Sequence, residues 1–305
     1  MRDNDLFSSK LELRNTIGKG ESVSTLRAGF RLGIVALLIG LMFVSVFIAT
    51  VFLGFRYGFS TEDARTIRPR LRVKRWFLSI IARASGLRIV MQEPFEWPEQ
   101  PFLLLSNHVS YWDIIAIGSL FPMSFVAKSE IESWPLIGRL ISMCQTQFVE
   151  RDTVQGRVRA LHALRRRLAF CPVCIFPEGT TSARLSPVWQ QWYRGQISVL
   201  RKPGVRVYTL ALTYKDQATW AWIDDDALLP HLWRCLKYPS MELTLCVAPL
   251  ETDCESHPAL STHARAAFEQ TVSQCRSLPH SFAGDLAEGH PHGEYINLTQ
   301  SLTKK

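Results

Sequence analysis

The chain has 305 residues, of which 47% are hydrophobic, and it carries a formal net charge of +8 with a pI of about 9.3. A chain of this length can form two domains, but its composition favours one membrane-associated domain over several soluble ones. Its seven cysteines show no pattern typical of a disulfide framework. The excess of basic residues leaves two classes of acidic partner open, anionic lipid and nucleic acid.

A long apolar segment near the amino terminus predicts a membrane helix. Residues 32–55 form 24 consecutive positions without a charged side chain, long enough as a helix to cross a hydrocarbon core. The polar segment 1–31 before it, and the lack of a clear small-residue cleavage site after it, argue against a secretory signal. A buried core helix is the alternative interpretation.

Basic residues dominate the next segment, residues 56–90, and predict contact with anionic headgroups. The run Arg70–Arg75 leads into the largely apolar run Trp76–Ile81, a pattern typical of an amphipathic helix on a membrane surface. Within twenty residues of the apolar segment, seven basic residues follow it and four precede it. This bias places the large domain in the cytosol.

The segment 91–278 carries the pattern of an α/β domain, and residues 279–305 are predicted to form a flexible polar tail. A sheet is predicted from apolar runs that alternate with helix-like stretches and lie near Phe102, Val126, Val173, Val207 and Leu243. Residues 261–278 add a final helix. The predicted fold class is therefore an α/β sheet flanked by helices and preceded by an N-terminal membrane helix.

The first chemical motif is the pair His108 and Asp113. The apolar run 101–105 predicts a buried strand, with Ser110 as the N-cap of a helix over 114–120. Five positions of a regular helix turn a side chain by roughly 500°, so the pair cannot share one helix and still touch. Asp113 therefore belongs in the first helical turn, from which it reaches back to His108 as the partner of a general base. Alternatively, Ser110 and Asp113 form only a capping box.

The second motif is the segment 176–182, Phe-Pro-Glu-Gly-Thr-Thr-Ser, at the end of another predicted strand. Pro177 ends that strand, so Glu178, Gly179 and Thr180 lie beyond its carboxyl end, where ligands bind in open α/β sheets. Gly179 lets backbone N–H groups approach an anion, while a partly buried Glu178 requires a hydrogen-bonding partner. An ordinary turn from strand to loop is the alternative.

Together these motifs resemble those of the PlsC-like glycerolipid acyltransferase family, in which a histidine and an aspartate separated by four residues precede a Phe-Pro-Glu-Gly-Thr segment. The resemblance spans about residues 77–250. It continues in four further blocks, which are Lys128–Ile131, Trp134–Gly138, Phe148–Arg151 and Val205–Ala211. The last of these resembles a strand that closes the site.

The resemblance implies that His108 takes the proton from an acceptor hydroxyl and that Asp113 orients the imidazole and supports its charge. The hydroxyl then attacks an acyl thioester directly, and CoA or acyl carrier protein leaves as the thiol. No cofactor or metal is required. Asn107 and the backbone near Gly179 are candidate supports for the oxyanion. The predicted substrate-binding residues are Asn107, Lys128, Arg151, Glu178, Gly179, Thr180 and Thr181.

One departure from the family pattern concerns the acceptor headgroup. Members that act on lysophosphatidic acid commonly have Arg directly after Glu-Gly-Thr, and here Thr181 holds that place. Arg forms a bidentate clamp for phosphate, whereas a hydroxyl does not. Lys128, Arg151 and Arg184 are candidates for the missing positive charge. The first expectation for the acceptor is 1-acyl-sn-glycerol-3-phosphate, giving phosphatidic acid, with lyso-ornithine lipid and zwitterionic lysophospholipids as alternatives.

The expected partners are membrane lipids and acyl-CoA or acyl carrier protein, at the cytosolic side of a bacterial inner membrane. Nucleic acid is not expected, because no recognised nucleic-acid module accompanies the basic helix around Arg165–Arg167. An inactive lipid-binding protein of the same fold is a further alternative, against which the intact motif residues argue. Cys171 and Cys174 have the spacing of a redox or zinc pair, but we predict that both are core residues.

Overall fold

A computed structural model of the chain describes residues 24–58, 63–93, 95–133, 137–150, 153–182, 200, 204–223, 226–253 and 256–277. Most of the predicted polar segment 1–31 and all of the tail 279–305 lie outside these residues. Arg151 and Arg184, both considered as headgroup contacts, also lie outside them.

A mixed sheet lies at the centre of the described structure. Its strands are β1 (Leu87–Met91), β2 (Phe102–Ser106), β3 (Ser124–Lys128), β4 (Gln147–Val149), β5 (Val173–Ile175), β6 (Arg206–Tyr214) and β7 (Met241–Leu250). The strand order is β1-β7-β6-β2-β5-β3-β4. The five strands from β6 to β4 are parallel, whereas β7 runs antiparallel to β6 and parallel to β1.

Helices cover both faces of this sheet. They are α1 (Thr25–Tyr57), α2 (Ala64–Ser85), α3 (Trp112–Leu120), α4 (Ser129–Glu132), α5 (Ile137–Met143), α6 (Val154–Arg167), α7 (Gln217–Trp220), α8 (Leu228–Leu236) and α9 (His257–Ser277). Alternate residues of β2 enter two separate cores. Phe102 and Leu104 pack with residues of α3 and α8, while Leu103 and Leu105 pack with residues of α6 and α9. The predicted α/β class is thereby confirmed.

The sheet begins at Leu87 and not at the predicted domain boundary of residue 91. Helix α2 ends at Gly86, which has a positive φ of 83°, and β1 follows directly. The sequence pattern groups residues 87–90 with the basic segment before them, because Arg83 and Arg88, on either side of Gly86, mask a five-residue strand. Strand β4 was also missed, since three residues are too few for a visible apolar period.

Helix α1 starts seven residues before the predicted membrane segment. Arg27 and Arg31 lie inside it because their guanidinium groups donate to the carbonyl oxygens of Lys237, Tyr238 and Pro239 at distances of 2.6–2.8 Å. Within the described ranges, α1 is the one helix long and apolar enough to cross a membrane. It also exposes large apolar side chains at helical spacing, including Leu26, Phe30, Leu37, Leu41, Val44, Ile48, Phe52 and Phe55.

The opposite face of α1 is packed against the rest of the molecule. Val35, Met42 and Val46 are buried in one apolar cluster with Phe77 and Ile81 of α2. The apolar segment is therefore neither a fully buried core helix nor a helix separate from the domain. It is a helix with one face packed on the protein and one exposed apolar face, a surface typical of a partner or membrane contact.

Part of the basic segment turns inward, which corrects its assignment to headgroups along its whole length. The ammonium group of Lys74 is buried and donates to the carbonyl oxygens of Met123 and Cys144 at 2.8 and 3.0 Å. Arg75 donates to the carbonyl oxygen of Leu120, at the carboxyl end of α3, where positive charge is favourable. The exposed side of α2 carries Arg65, Arg68, Arg72, Trp76 and Arg83.

Gly138 lets α5 approach α4 closely, and we predict that Gly138→Ala destabilises the fold. An added Cβ would overlap the carbonyl oxygen of Glu132, which belongs to the backbone and cannot rotate away. Overpacking of this kind costs about 1–3 kcal/mol of unfolding free energy. Thermal unfolding in detergent measures the loss. Gly40→Ala is the control, because open space surrounds that position, and an equal loss in both variants would contradict the assignment.

Candidate active site

Three strand ends meet where the two sequence motifs lie. β2 pairs in parallel with β5 on one side and with β6 on the other, so their carboxyl ends share one edge of the sheet. In register, Ser106 at the end of β2 faces Leu210 of β6. β6 therefore continues four residues beyond this point, to Tyr214, and forms a wall beside the chain that leaves β2.

His108 and Asp113 are in contact, as their spacing predicts. His108 Nδ1 lies 2.8 Å from Asp113 Oδ2. Asp113 is fully buried in the first turn of α3, whereas the side chain of His108 is 16% exposed. Because Nδ1 faces the carboxylate, the other ring nitrogen, Nε2, is on the far side of the ring and is the atom available for proton transfer.

The same Asp113 oxygen also accepts the backbone N–H groups of Val109 and Ser110, at 2.6 and 2.9 Å. Asp113 therefore satisfies donors before the helix, as in the capping interpretation, and orients His108 as well. The predicted N-cap at Ser110 is wrong. Tyr111 holds the cap position, α3 begins at Trp112, and the Ser110 hydroxyl is buried without a hydrogen-bond partner among the described residues. Asp113, and not Ser110, supplies the side-chain acceptor at the start of α3, because its side chain turns back over the residues that precede the helix.

The second oxygen of Asp113 is bound by Tyr214, which sequence reasoning missed. The Tyr214 hydroxyl donates to Asp113 Oδ1 at 2.6 Å. A signal was present in the alternation of β6, since Tyr208, Leu210, Leu212 and Tyr214 enter the same core. The last of the family-like blocks ends at Ala211, three residues before Tyr214.

Phe176 supports the imidazole from one face. The two rings are stacked, with centroids 4.0 Å apart and an angle of 14° between their planes. Phe176 directly follows β5, and Phe125 of β3 lies parallel to it at 6.4 Å between centroids. Stacking of this kind fixes the plane of the His108 ring and leaves its edge free to exchange a proton.

Asn107 ties the exit of β2 to β6. Its side-chain nitrogen donates to the carbonyl oxygen of Leu212 at 2.9 Å, and its side-chain oxygen accepts the Leu212 N–H at 2.7 Å. Asn107 was predicted to support the oxyanion, but this pair of bonds gives it a structural position beside His108. One amide hydrogen is left for any contact with substrate.

Glu178 connects the second motif to the first. It is buried, and its carboxyl group accepts the backbone N–H of His108. Burial, together with the negative charge of Asp113, raises the pKa of Glu178 to about 7, even though the hydrogen bond from His108 lowers it. The carbonyl group of His108 is bound as well, because the Ser182 N–H donates to its oxygen at 2.8 Å. Residue 108 is therefore held from both directions.

The turn after β5 is closed by Gly179. Its N–H donates to the Phe176 carbonyl oxygen at 3.0 Å, and its φ is +72°, a conformation that favours glycine. This N–H is thus used within the turn. Oxyanion support from the backbone near Gly179 must therefore come from another N–H group of this segment. Thr180 is exposed and Thr181 is half-buried at the same edge of the sheet.

Lys128 lies farther along this edge. It ends β3, which is separated from β2 by β5, so about 10 Å of sheet lies between β3 and β2. Its ammonium group forms an ion pair with Glu130 at 2.5 Å, with both side chains about half exposed. The structure therefore places Lys128 at the rim of the site and in contact with a neighbouring carboxylate.

The described residues contain no group of three or more His, Cys, Asp or Glu side chains that could hold a metal ion. Cys171 and Cys174, the pair with redox or zinc spacing, are both buried and free of disulfides. Their prediction as core residues is confirmed.

Comparisons with known proteins find acyltransferases similar to this chain. The family model described as Acyltransferase matches residues 86–213. A lyso-ornithine lipid O-acyltransferase of Pseudomonas aeruginosa is 33% identical over 223 residues, covering 70% of this chain and 78% of that protein. A 1-acyl-sn-glycerol-3-phosphate acyltransferase of Neisseria gonorrhoeae is 34% identical over 131 residues, covering 39% of this chain and 48% of that protein.

The fold has a solved counterpart in PlsC, the 1-acyl-sn-glycerophosphate acyltransferase of Thermotoga maritima. The TM-score is 0.55 at 17% identity, and the match covers 82% of this chain and 100% of PlsC. The chain belongs to the PlsC-like glycerolipid acyltransferase family. It is an acyltransferase of membrane lipids with an N-terminal helix suited to membrane association.

The raised pKa of Glu178 predicts a pH-dependent stability. The folded protein keeps the carboxyl proton of Glu178 up to a pH of about 7, whereas the unfolded chain releases it around the ordinary pKa of 4.5. Raising the pH from 4.5 to 7 therefore favours unfolding. The loss is on the order of 3 kcal/mol across the window. We expect Glu178→Gln to flatten this slope in thermal unfolding measured from pH 4.5 to 7.5. The exposed Glu269→Gln is the control, and an unchanged slope in Glu178→Gln would contradict the prediction.

Proposed function

We propose that the protein transfers an acyl chain from a thioester donor, acyl-CoA or acyl-acyl carrier protein, to the free hydroxyl of a lyso-lipid. The observation that carries this proposal is the His108–Asp113 pair at the sheet edge, with Nδ1 of the imidazole engaged and Nε2 directed away from the carboxylate. This arrangement is suited to a general base, because the buried carboxylate stabilises the imidazolium that forms when Nε2 accepts a proton.

In the proposed reaction, His108 Nε2 takes the proton from the acceptor hydroxyl as its oxygen attacks the thioester carbonyl carbon. The tetrahedral intermediate carries a negative oxygen, for which the remaining amide hydrogen of Asn107 and the backbone after Gly179 are the proposed donors. When the intermediate collapses, the carbon–sulfur bond breaks and the imidazolium returns the proton to the leaving thiolate. An ester and a free thiol are the products.

For the acceptor, we propose lyso-ornithine lipid ahead of 1-acyl-sn-glycerol-3-phosphate, which reverses the order expected from sequence. Thr181 occupies the position of the usual arginine, and a hydroxyl does not form a bidentate phosphate clamp. Lys128 already forms an ion pair with Glu130, so it is a weaker substitute for the missing arginine. The relatives from Pseudomonas aeruginosa and Rhizobium meliloti, both named lyso-ornithine lipid O-acyltransferases, support the same choice.

We also propose that α1 enters the membrane from the cytosolic side of a bacterial inner membrane without crossing it. Its buried face packs on α2, and its first turns are bonded to the carboxyl end of α8 through Arg27 and Arg31. A helix fixed to a polar domain along much of its length cannot stand alone across a bilayer. Its exposed apolar face can enter one leaflet, with the arginines of α2 near anionic headgroups.

We predict that His108→Ala lowers transfer by roughly 10²–10⁴-fold while leaving folding and membrane binding intact. The test is transfer of a labelled acyl chain in detergent micelles, with acyl-CoA and acyl-acyl carrier protein as donors and a panel of lyso-lipid acceptors. His162→Ala, at an exposed position of α6, is the control. Normal turnover in His108→Ala contradicts the mechanism. No transfer by the wild type from either donor favours an inactive lipid-binding protein.

We predict that Thr181→Arg shifts acceptor preference toward phosphate. The ratio of transfer to 1-acyl-sn-glycerol-3-phosphate over transfer to lyso-ornithine lipid should rise roughly tenfold, since a bidentate arginine contact with phosphate is charge-assisted. Thr181→Lys is the matched control, because it adds charge without the planar fork and should give a smaller rise. An unchanged ratio in Thr181→Arg means that this position does not face the headgroup.

A further inference from the structure

Tyr214 binds the one oxygen of Asp113 that does not face His108. Three donors converge on Oδ2, namely His108 Nδ1 and the backbone N–H groups of Val109 and Ser110. Only Tyr214 is seen to donate to Oδ1 among the described residues, at 2.6 Å. Both side chains are almost completely inaccessible, so water cannot readily replace this donor.

The position of Tyr214 is fixed by the same strand that holds Asn107. Leu212, two residues earlier in β6, makes both hydrogen bonds to the Asn107 amide. Two residues at the end of β6, Leu212 and Tyr214, therefore bind the residue before His108 and the aspartate after it. Burial and the nearby Asp113 charge raise the pKa of Tyr214 well above its ordinary value, so its hydroxyl remains a donor over the working range.

We propose that Tyr214 is a positioning residue of the acyl-transfer site, whose hydroxyl fixes the Asp113 carboxylate and thereby controls how strongly that carboxylate supports positive charge on His108. This role rests on the proposed function. A carboxylate held on both oxygens cannot rotate about its bond to Cβ, so Oδ2 stays in line with Nδ1. A donor on Oδ1 also withdraws charge from Oδ2, which weakens its attraction for a protonated imidazole.

Tyr214→Phe removes the hydroxyl and keeps the ring that packs in the core. We expect kcat to fall roughly tenfold to a hundredfold, because a carboxylate released at Oδ1 no longer holds the His108 ring in line for proton transfer. The acceptor KM should be unchanged, because Tyr214 is buried away from solvent. The ascending limb of the pH–rate profile should move to higher pH, since Asp113 then holds a protonated imidazole more strongly.

Other titratable groups surround this pair and must be separated from the effect. Those that interact with Asp113 or Tyr214 are His108, Tyr111, Cys174, Glu178 and Cys235. Glu178→Gln therefore serves as a second background, in which the shift caused by Tyr214→Phe should persist. Tyr208→Phe is the matched control on the same strand, because its ring packs against Phe95 and Phe102 away from the carboxylate. Its pH–rate profile should match the wild type.

A second variant covers the case in which Tyr214→Phe fails to fold. Site-specific 3-fluorotyrosine at position 214 keeps the ring and hydroxyl but makes the phenol a stronger donor. The ascending limb should then move to lower pH, opposite to the shift in Tyr214→Phe. In an Asp113→Asn background, removing the Tyr214 hydroxyl should change kcat by less than twofold, because its effect passes through the carboxylate.

Several results would overturn the role of Tyr214. One is a kcat within twofold of the wild type in Tyr214→Phe, and another is a lower kcat with an unmoved pH–rate profile, which marks a purely structural contact. An unmoved profile with 3-fluorotyrosine has the same meaning. These outcomes leave the proposed function intact when His108→Ala is inactive. No transfer by the wild type removes the proposed function, and the role of Tyr214 with it.

Discussion

The arrangement of the site depends on one buried carboxylate. Asp113 has no accessible surface, yet it receives an imidazole nitrogen, two backbone N–H groups and a phenol hydroxyl. A buried charge is tolerated only when its oxygens are bonded, so each donor must be delivered to a defined place. The turn after β2, the start of α3 and the end of β6 meet at this point for that reason.

The parallel sheet makes this meeting possible. Parallel strands end at one edge, so the chain leaving β2 passes between the longer β6 and the turn after β5. β6 supplies bonds to Asn107 and Asp113, while the other turn supplies the Phe176 stack and the bonds to residue 108. His108 is thus fixed by ring stacking on one face, by a carboxylate at Nδ1 and by its own backbone. In the proposed mechanism, the remaining nitrogen, Nε2, receives the proton of the substrate hydroxyl.

The helices that we propose to contact lipid, α1 and α2, are built into the same unit. Helix α2 packs against α3, which carries Asp113, and Ser79 of α2 donates to the carbonyl oxygen of Ser119 at 2.9 Å. Lys74 adds two further bonds to carbonyl oxygens of the domain. These bonds connect the proposed lipid-facing surface of α2 to the helix that holds the Asp113 carboxylate.

The sequence predicted those features of the fold and the site that depend on local patterns of residues. Apolar runs located five strands, and helical geometry alone required Asp113 to reach back to His108 from a first turn. Long-range pairing could not be predicted in this way. Tyr214 lies 101 residues from Asp113, and the partners of Arg31 and Lys74 are backbone carbonyls, which have no sequence signature. The short strands β1 and β4 were missed because their neighbours in the sheet, and not their own composition, make them strands.

The acceptor headgroup is harder to predict from the sequence than the reaction. The family resemblance places Thr181 where members that act on lysophosphatidic acid commonly have Arg. A headgroup is bound by side chains that the fold brings together from distant parts of the chain, so its identity does not follow from one position of the sequence.

The central claim is that Asp113 holds the neutral imidazole of His108 with its proton on Nδ1, so that Nε2 is the base. Nitrogen-15 NMR of histidine-labelled protein in detergent micelles tests this directly, with His108→Ala used to identify the signal. The account predicts that, when the ring is neutral, Nδ1 has the shift of a protonated nitrogen and Nε2 that of an unprotonated one. The opposite tautomer, or an equal mixture of the two, would contradict it.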